Sequence, residues 1–252
     1  MKIISTLVLL VLVFPGCKTS QVTKNHTVKE IAPGFLEGYL SKEEIPNSYT
    51  LVPPPPSEGS LAFALDQEYA KKAIDNRDIA RYSLAIADAQ LYFPEATKAF
   101  ESTLGIVIDP SNTPRLYLLM RRVLTDAALS VYAAKNHYQR KRPFMINNTP
   151  LCTPAEEDFL RKDGSYPSGH TSIGWAWALV LTEIFPSKSE KIMQRGYSFG
   201  ESRVICNAHW HSDVETGRIM GAAAVAKLHA NALFQKDLEE VKKEINHLSN
   251  KK

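Results

Sequence analysis

The stretch TPRLYLLMRRVLTDAALSVYAA (residues 113–134) repeats apolar side chains at intervals of three and four: Leu116, Leu119, Met120, Val123, Ala127, Val131 and Ala134. A helix of 3.6 residues per turn gathers these into one stripe, and a stripe that wide belongs against a core. Thr113 stands where an N-cap is expected and Pro114 at the first turn, where a missing N–H costs nothing. The spacing therefore predicts one core helix over 113–134.

Outward from this stretch the same period recurs. From Leu61 onward it is helical almost everywhere, and no convincing alternating strand or internal repeat interrupts it. TPAEEDFL offers a start in which Thr153 caps, Pro154 opens and Glu156 closes a capping box. SKSE, at Ser187 to Glu190, repeats that box before a further helix. The fold class is all-α, a single-domain helical bundle. Upstream, LVPPPPSEG is an extended, stiff brace that no helix can enter. Residues 18 to about 50 are polar without a sustained period and read as a tether and irregular lead-in.

At the N-terminus Lys2 precedes IISTLVLLVLVF, an apolar run too short to span a bilayer as a mature helix and right for the core of a secretion signal over residues 1–16. Gly16 before Cys17 resembles a lipoprotein cleavage site, although Phe14 and Pro15 fit that pattern poorly, so lipidation at Cys17 and ordinary cleavage nearby both stand. Either outcome implies export to the periplasm or beyond. In an oxidising compartment Cys152 and Cys206 are candidates for a disulfide, the alternative being two separate buried thiols. The best later span, SIGWAWALVLTEIF, is too short and carries Glu183, so a membrane is reached only through a lipid anchor. A formal net charge of +3 in 252 residues excludes the clustered basic footprint of a nucleic-acid binder. With 44% hydrophobic and 23% charged residues the chain has the balance of a globular domain rather than of a disordered one.

Three polar clusters break the helical background. In KNHYQRKRPF, Lys135 and Arg142 lie seven residues apart, two helical turns, before Pro143 ends the helix. In GSYPSGHTS, Gly164, Pro167 and Gly169 make a turn that puts Ser168, Gly169 and His170 at a helix N-terminus. Free N–H groups there suit an anion; the plainer alternative is Ser168 as an N-cap. In SRVICNAHWHSDVE, His209 and Asp213 are four apart, so a helix beginning between them lets the carboxylate hold one imidazole N–H and leaves the other nitrogen nucleophilic. The H-x-H-x-D of His209, His211 and Asp213 also suggests metal ligands. Against that, Val214 follows where two-metal hydrolases place another His, and no structural-zinc Cys/His spacing exists. The chain instead supplies cations, Lys135, Arg142 and Arg203, which suit an anion, and His211 reads as a bystander.

Together the clusters fit K-x6-R-P, P-S-G-H and S-R-x5-H-x3-D without a departure, through Lys135, Arg142, Pro143, the run from Pro167 to His170, Ser202, Arg203, His209 and Asp213. The chain resembles the type 2 phosphatidic acid phosphatase superfamily, whose active site is shared with vanadium haloperoxidases. More narrowly, GSYPSGHT looks like the signature of the class A bacterial nonspecific acid phosphatases. The likeness covers about residues 45–242, making 1–16 a signal peptide, 17–44 a tether and 45–252 the acid phosphatase domain. It implies a phosphomonoesterase without metal or other cofactor that passes through phosphohistidine, acts on small phosphate monoesters and is inhibited by vanadate. It also implies phosphotransfer or nucleotide-diphosphate cleavage as side activities, and homo-oligomers such as the family often forms. By the same resemblance His209 is the nucleophile, Asp213 orients it and His170 protonates the leaving oxygen. Lys135, Arg142, Ser168, Gly169 and Arg203 hold the phosphoryl oxygens. This assignment calls for a neutral His209 and a charged His170, hence an acidic optimum with two limbs. The rivals are a haloperoxidase, a lipid phosphatase, a non-catalytic phosphate-binding module and a metallohydrolase.

Overall fold

The computed structural model of the chain describes residues 28–76 and 78–250, so the signal run, Cys17 and the first part of the expected tether lie outside the described residues. Two short strands, β1 (Glu30–Ala32) and β2 (Phe35–Leu36), pair antiparallel. Among the described residues eleven helices follow. They are α1 (Ser48–Leu51), α2 (Leu61–Asp75), α3 (Ile79–Ala87), α4 (Lys98–Leu104), α5 (Pro114–Leu129), α6 (Tyr132–Tyr138), α7 (Glu157–Leu160), α8 (Gly169–Ile184), α9 (Ser189–Ile205), α10 (His211–His229) and α11 (Ala232–Ser249).

Helix α8 is the axis of the bundle. Its residues are apolar on nearly every side because α5, α9 and α10 all pack on it, leaving little surface for water. Trp177 lies in its middle between the rings of Phe100 and Phe199, edge to face, and its indole N–H donates to Met120 O at 2.9 Å. Removing such a ring costs about 3–5 kcal/mol. Helix α10 comes close because Gly217 carries no side chain, as a Cβ there would meet Ser168 O at 2.6 Å.

The stripe expected over 113–134 is buried at every named position, yet the helix is two helices. α5 stops at Leu129, Ser130 turns its hydroxyl back to Ala127 O at 2.7 Å, and α6 restarts at Tyr132. Thr113 holds the N-cap position as expected, but its side chain does not cap: the hydroxyl accepts from Asp109 N and donates to Val107 O. Glu244 of α11 does that work, its two oxygens accepting Arg115 N and Leu116 N at 3.0 Å each. Neither expected capping box forms. Thr153 bonds the Glu156 side chain rather than its N–H, and the helix ahead of α9 begins as a 3-10 turn over Pro186–Lys188. In both of these cases the chain enters through a 3-10 turn with Pro at its first position.

The lead-in also differs from expectation. Beyond the small hairpin the chain runs along α5, with Asp126 accepting Tyr39 N at 2.8 Å and Leu40 N at 3.1 Å while Arg122 and Thr125 donate to the carbonyls of Gly38 and Leu36. Gly38 is required there, since a Cβ would lie 2.0 Å from Asp126 Oδ1. Burial pushes the Asp126 carboxyl up to about 6 against the pull of those N–H groups. The proline run keeps its role as a brace: Tyr166 donates its hydroxyl to Pro53 O at 2.6 Å.

Candidate active site

Lys135 sits on α6, which ends at Tyr138 because Gln139 adopts a left-handed conformation at φ 45°. Arg142 therefore lies beyond the helix and not on its face as the two-turn spacing suggested. Both are buried, and they meet through a residue that no motif marked. Asp163 Oδ2 accepts from Lys135 Nζ at 3.1 Å and from Arg142 Nη2 at 2.9 Å. Lys135 Nζ also donates to Gly164 O. Burial, followed by the Arg142 charge, brings the Lys135 ammonium down to about 8.

The start of α8 faces the same space. Ser168 is its N-cap, accepting from Thr171 N at 3.3 Å, while its own N–H donates to Asp213 O at 2.9 Å. The hydroxyl also accepts from Thr171 Oγ1 at 2.9 Å, which leaves its own O–H to donate. The N–H groups of Gly169 and His170 stand in the first turn, where a helix supplies no acceptor of its own.

Helix α9 delivers Arg203 near its C-terminus, and a tight turn brings the chain back to it. Asn207 is left-handed at φ 59°, and the N–H groups of Ala208 and His209 both donate to Arg203 O. The turn is fastened from two sides. Asn207 exchanges amide bonds with Asn147, and Cys206 is bonded to Cys152 across a Cα separation of 4.7 Å. Arg203 is 0% exposed, and no described residue accepts a hydrogen bond from its Nε, Nη1 or Nη2. Burial lowers it to about 10. A buried guanidinium without a partner costs several kcal/mol, so a fold keeps one only where an anion completes it.

Helix α10 opens at His211, between His209 and Asp213. Asp213 Oδ2 lies 3.4 Å from His209 Nδ1 and also accepts from Trp210 N at 2.8 Å and Ser165 Oγ at 2.5 Å. A carboxylate only accepts, so the imidazole proton sits on Nδ1 and Nε2 is bare. That bare nitrogen receives Arg142 Nη1 at 2.9 Å. Behind this pair Arg140 donates to Asp213 Oδ1 at 2.6 Å, to Ser212 Oγ at 2.8 Å and to Asp66 Oδ2 at 2.7 Å.

The two histidines share one electrostatic condition. Burial, then Arg142, Lys135 and Arg203, hold His209 well below the usual imidazole range. Burial and Arg203 do the same to His170, whose ring is hemmed in although part of the residue reaches solvent. In the ligand-free protein the nearby cations thus disfavour a proton on both rings, on His170 as well as on His209. His170 Nε2 donates to Ala89 O at 3.0 Å, which leaves Nδ1 as the position for a second proton.

The H-x-H-x-D residues do not converge. His211 stacks on Tyr69 at 3.9 Å and turns toward Glu215, while His209 faces a guanidinium. Among the described residues Glu201, His211 and Glu215 bring ligand atoms within 4.8 Å of one another, but Arg218 already donates to both carboxylates.

The sequence pattern of the PAP2 superfamily matches residues 116–235. Over 211 residues the chain is 43% identical to a non-specific acid phosphatase of Providencia stuartii, covering 83% of this chain and 85% of that one. The chain belongs to the PAP2 superfamily. A non-specific acid phosphatase of Salmonella typhimurium is 39% identical over 85% of this chain and 86% of its own. An acid phosphatase of Zymomonas mobilis is 40% identical over 76% and 73% respectively. A bacterial vanadium-dependent iodoperoxidase structure is 19% identical, with a TM-score of 0.49 over 72% of this chain and 53% of its own. Within the PAP2 superfamily the chain is an acid phosphatase of the non-specific bacterial family.

In this PAP2 phosphatase the residues that sequence reasoning missed are the partners of its motifs. Asp163 ties Lys135 to Arg142, Ser165 and Arg140 hold Asp213, and Asp66 holds Arg140. Arg140 and Asp163 each carried a weak signal, a third cation inside KNHYQRKRPF and an acid just before GSYPSGHTS.

Proposed function

We propose that this acid phosphatase hydrolyses small phosphate monoesters of broad range without a metal, through a phosphohistidine on Nε2 of His209. The observation that carries this reading is Arg203, buried and unpartnered, whose charge with those of Arg142 and Lys135 bears on the His209 ring. A phosphoryl group supplies the anion such a site requires, since its charge spreads over equatorial oxygens that guanidinium and N–H donors match.

In the first step the Nε2 lone pair of His209 attacks phosphorus, the bond to the ester oxygen breaks, and His170 Nδ1 gives that oxygen its proton. Asp213 keeps Nδ1–H of His209 in place and stabilises the cation that forms on the ring. Lys135, Arg142, Arg203, the Ser168 hydroxyl and the first N–H groups of α8, from Gly169 onward, hold the three phosphoryl oxygens. In the second step His170 takes a proton from water, the water oxygen attacks phosphorus, and the P–N bond breaks to return the electron pair to His209. His170 gains its proton when the substrate's negative charge enters, or receives it from the substrate monoanion, so activity favours acidic pH. An alcohol in place of water makes the enzyme a phosphotransferase, and a nucleoside diphosphate in place of a monoester remains within the chemistry.

Export fits the same reading, with residues 1–16 removed as a signal and Cys17 lipidated at a bacterial membrane. Hydrolysis of an aryl phosphate at mildly acidic pH, with EDTA in one sample and vanadate in another, tests the function. Activity that survives EDTA and is abolished by vanadate is expected. Activity lost to EDTA and restored by zinc contradicts it.

A further inference from the structure

Arg142 has no donor to spare for a substrate. Its Nε is shared by the carbonyls of Leu160 and Asp163, its Nη1 by Ala208 O and His209 Nε2, and its Nη2 by Asp163 Oδ2 and Gly164 O. The guanidinium carries five N–H groups, and all of its nitrogens are engaged. For Arg142 to hold a phosphoryl oxygen, some of these partners must leave. Four are backbone carbonyls, fixed by the fold. The exchangeable ones are His209 Nε2, which has to be bare to attack, and Asp163 Oδ2.

One oxygen of Asp163 takes a donor from Lys135 and a donor from Arg142 together, as a phosphoryl oxygen would. Its side chain is 20% exposed, against 4% for Lys135 and 1% for Arg142, so it is the member of the cluster that can turn outward to water. Arg203, by contrast, has no internal stand-in.

We infer that Asp163 is an internal ligand of the phosphate cradle, and that the substrate's phosphoryl group displaces its carboxylate from Lys135 and Arg142. The inference rests on the phosphatase reading of the site. Asp163 then sets the affinity for phosphate. Each binding event exchanges a carboxylate for a phosphoryl oxygen on the same two cations, and the departing product is helped off by the returning carboxylate. Arg142 keeps its carbonyl anchors on Leu160, Asp163, Ala208 and Gly164 whether or not the Asp163 side chain is present.

The test is inhibition by inorganic phosphate at one fixed pH, measured against an aryl phosphate in the wild type, Asp163→Asn and Asp163→Ala. With the competing charge removed, the inhibition constant for phosphate and KM are both expected to fall roughly threefold to tenfold in both variants, because two charge-assisted bonds no longer have to be broken. A constant that stays level or rises in both variants overturns the inference and makes Asp163 an anchor that positions the two cations. Calorimetric titration of inorganic phosphate reads the same ratio without turnover. A wild type that neither hydrolyses the ester nor binds phosphate overturns the phosphatase reading itself, and the inference with it. A wild type that does both while the variants bind no more tightly overturns the inference alone.

Discussion

Two arginines, Arg140 largely and Arg203 wholly out of water, serve the same histidine and are treated in opposite ways. Arg140 donates from both terminal nitrogens inside the chain, to Asp66, Ser212 and Asp213. Arg203, at the end of α9, has none of its three nitrogens partnered among the described residues. The same side chain is thus a finished joint in one region and an open demand in the other. A region satisfied by the chain orients, whereas a region the chain leaves unsatisfied binds. The cradle of Lys135, Arg142 and Arg203 is of the second kind, relieved on one side only by Asp163.

Exchanging each arginine for methionine is the sharpest way to break this comparison. Arg203→Met is expected to cut kcat/KM by about a hundredfold or more, the scale of losing one donor to a transition-state oxyanion. Its melting temperature without phosphate should hold or rise, since an unpaired buried charge is gone. Arg140→Met is expected to do the reverse. It leaves Asp66 and Asp213 without their counter-charge, costing about 3–5 kcal/mol. That is roughly 10 °C in melting temperature for a domain of this size, and kcat falls mainly through a misplaced His209. Arg140→Lys should recover part of the stability and less of the rate. Equal losses of stability in both methionine variants, followed by thermal denaturation, would erase the distinction.

The pH dependence sharpens the comparison further. As pH rises through about 8 the Lys135 ammonium loses its proton and the cradle a charge, so inhibition by phosphate should weaken on that limb, and Lys135→Arg should move the limb upward. The smallest effect concerns stability. His209 and His170 are held well below the unfolded value of about 6.5, so below that pH the unfolded chain binds protons that the native one does not. Their contribution to stability is present above about 6.5 and is lost as pH falls toward the depressed native values. Phosphate brings in negative charge and offsets the loss, so the rise in melting temperature on adding phosphate should grow as the solution is made more acid. A rise independent of pH would mean that the two rings do not face the bound anion.

What the sequence disclosed follows the same line. The core stripe of α5 and α6 was legible because apolar periodicity is a local signal, and each named position is buried. The break at Ser130 was not, because the stripe continues through it in register. His209, Asp213, Lys135, Arg142, His170 and Arg203 stood out as candidates because three spaced segments of unusual residues carry a recognisable signature. Their supports were hidden by distance along the chain. Arg140 reaches an aspartate 74 residues before it and another 73 residues after it, and Asp66 accepts the N–H of Ser212 from 146 residues away. The lead-in looked like a tether because it docks through backbone N–H and carbonyl groups, which carry no sequence signal, onto Asp126, Arg122 and Thr125.

The central claim, that His209 carries the phosphoryl group, is tested most directly by mixing enzyme with a labelled aryl phosphate, quenching in alkali within a few turnovers, and mapping the label by mass spectrometry. One phosphoryl group on His209, stable in base, lost in mild acid and absent from His209→Ala, is the predicted result. Label on another residue, or product formed at full rate by His209→Ala, would contradict it.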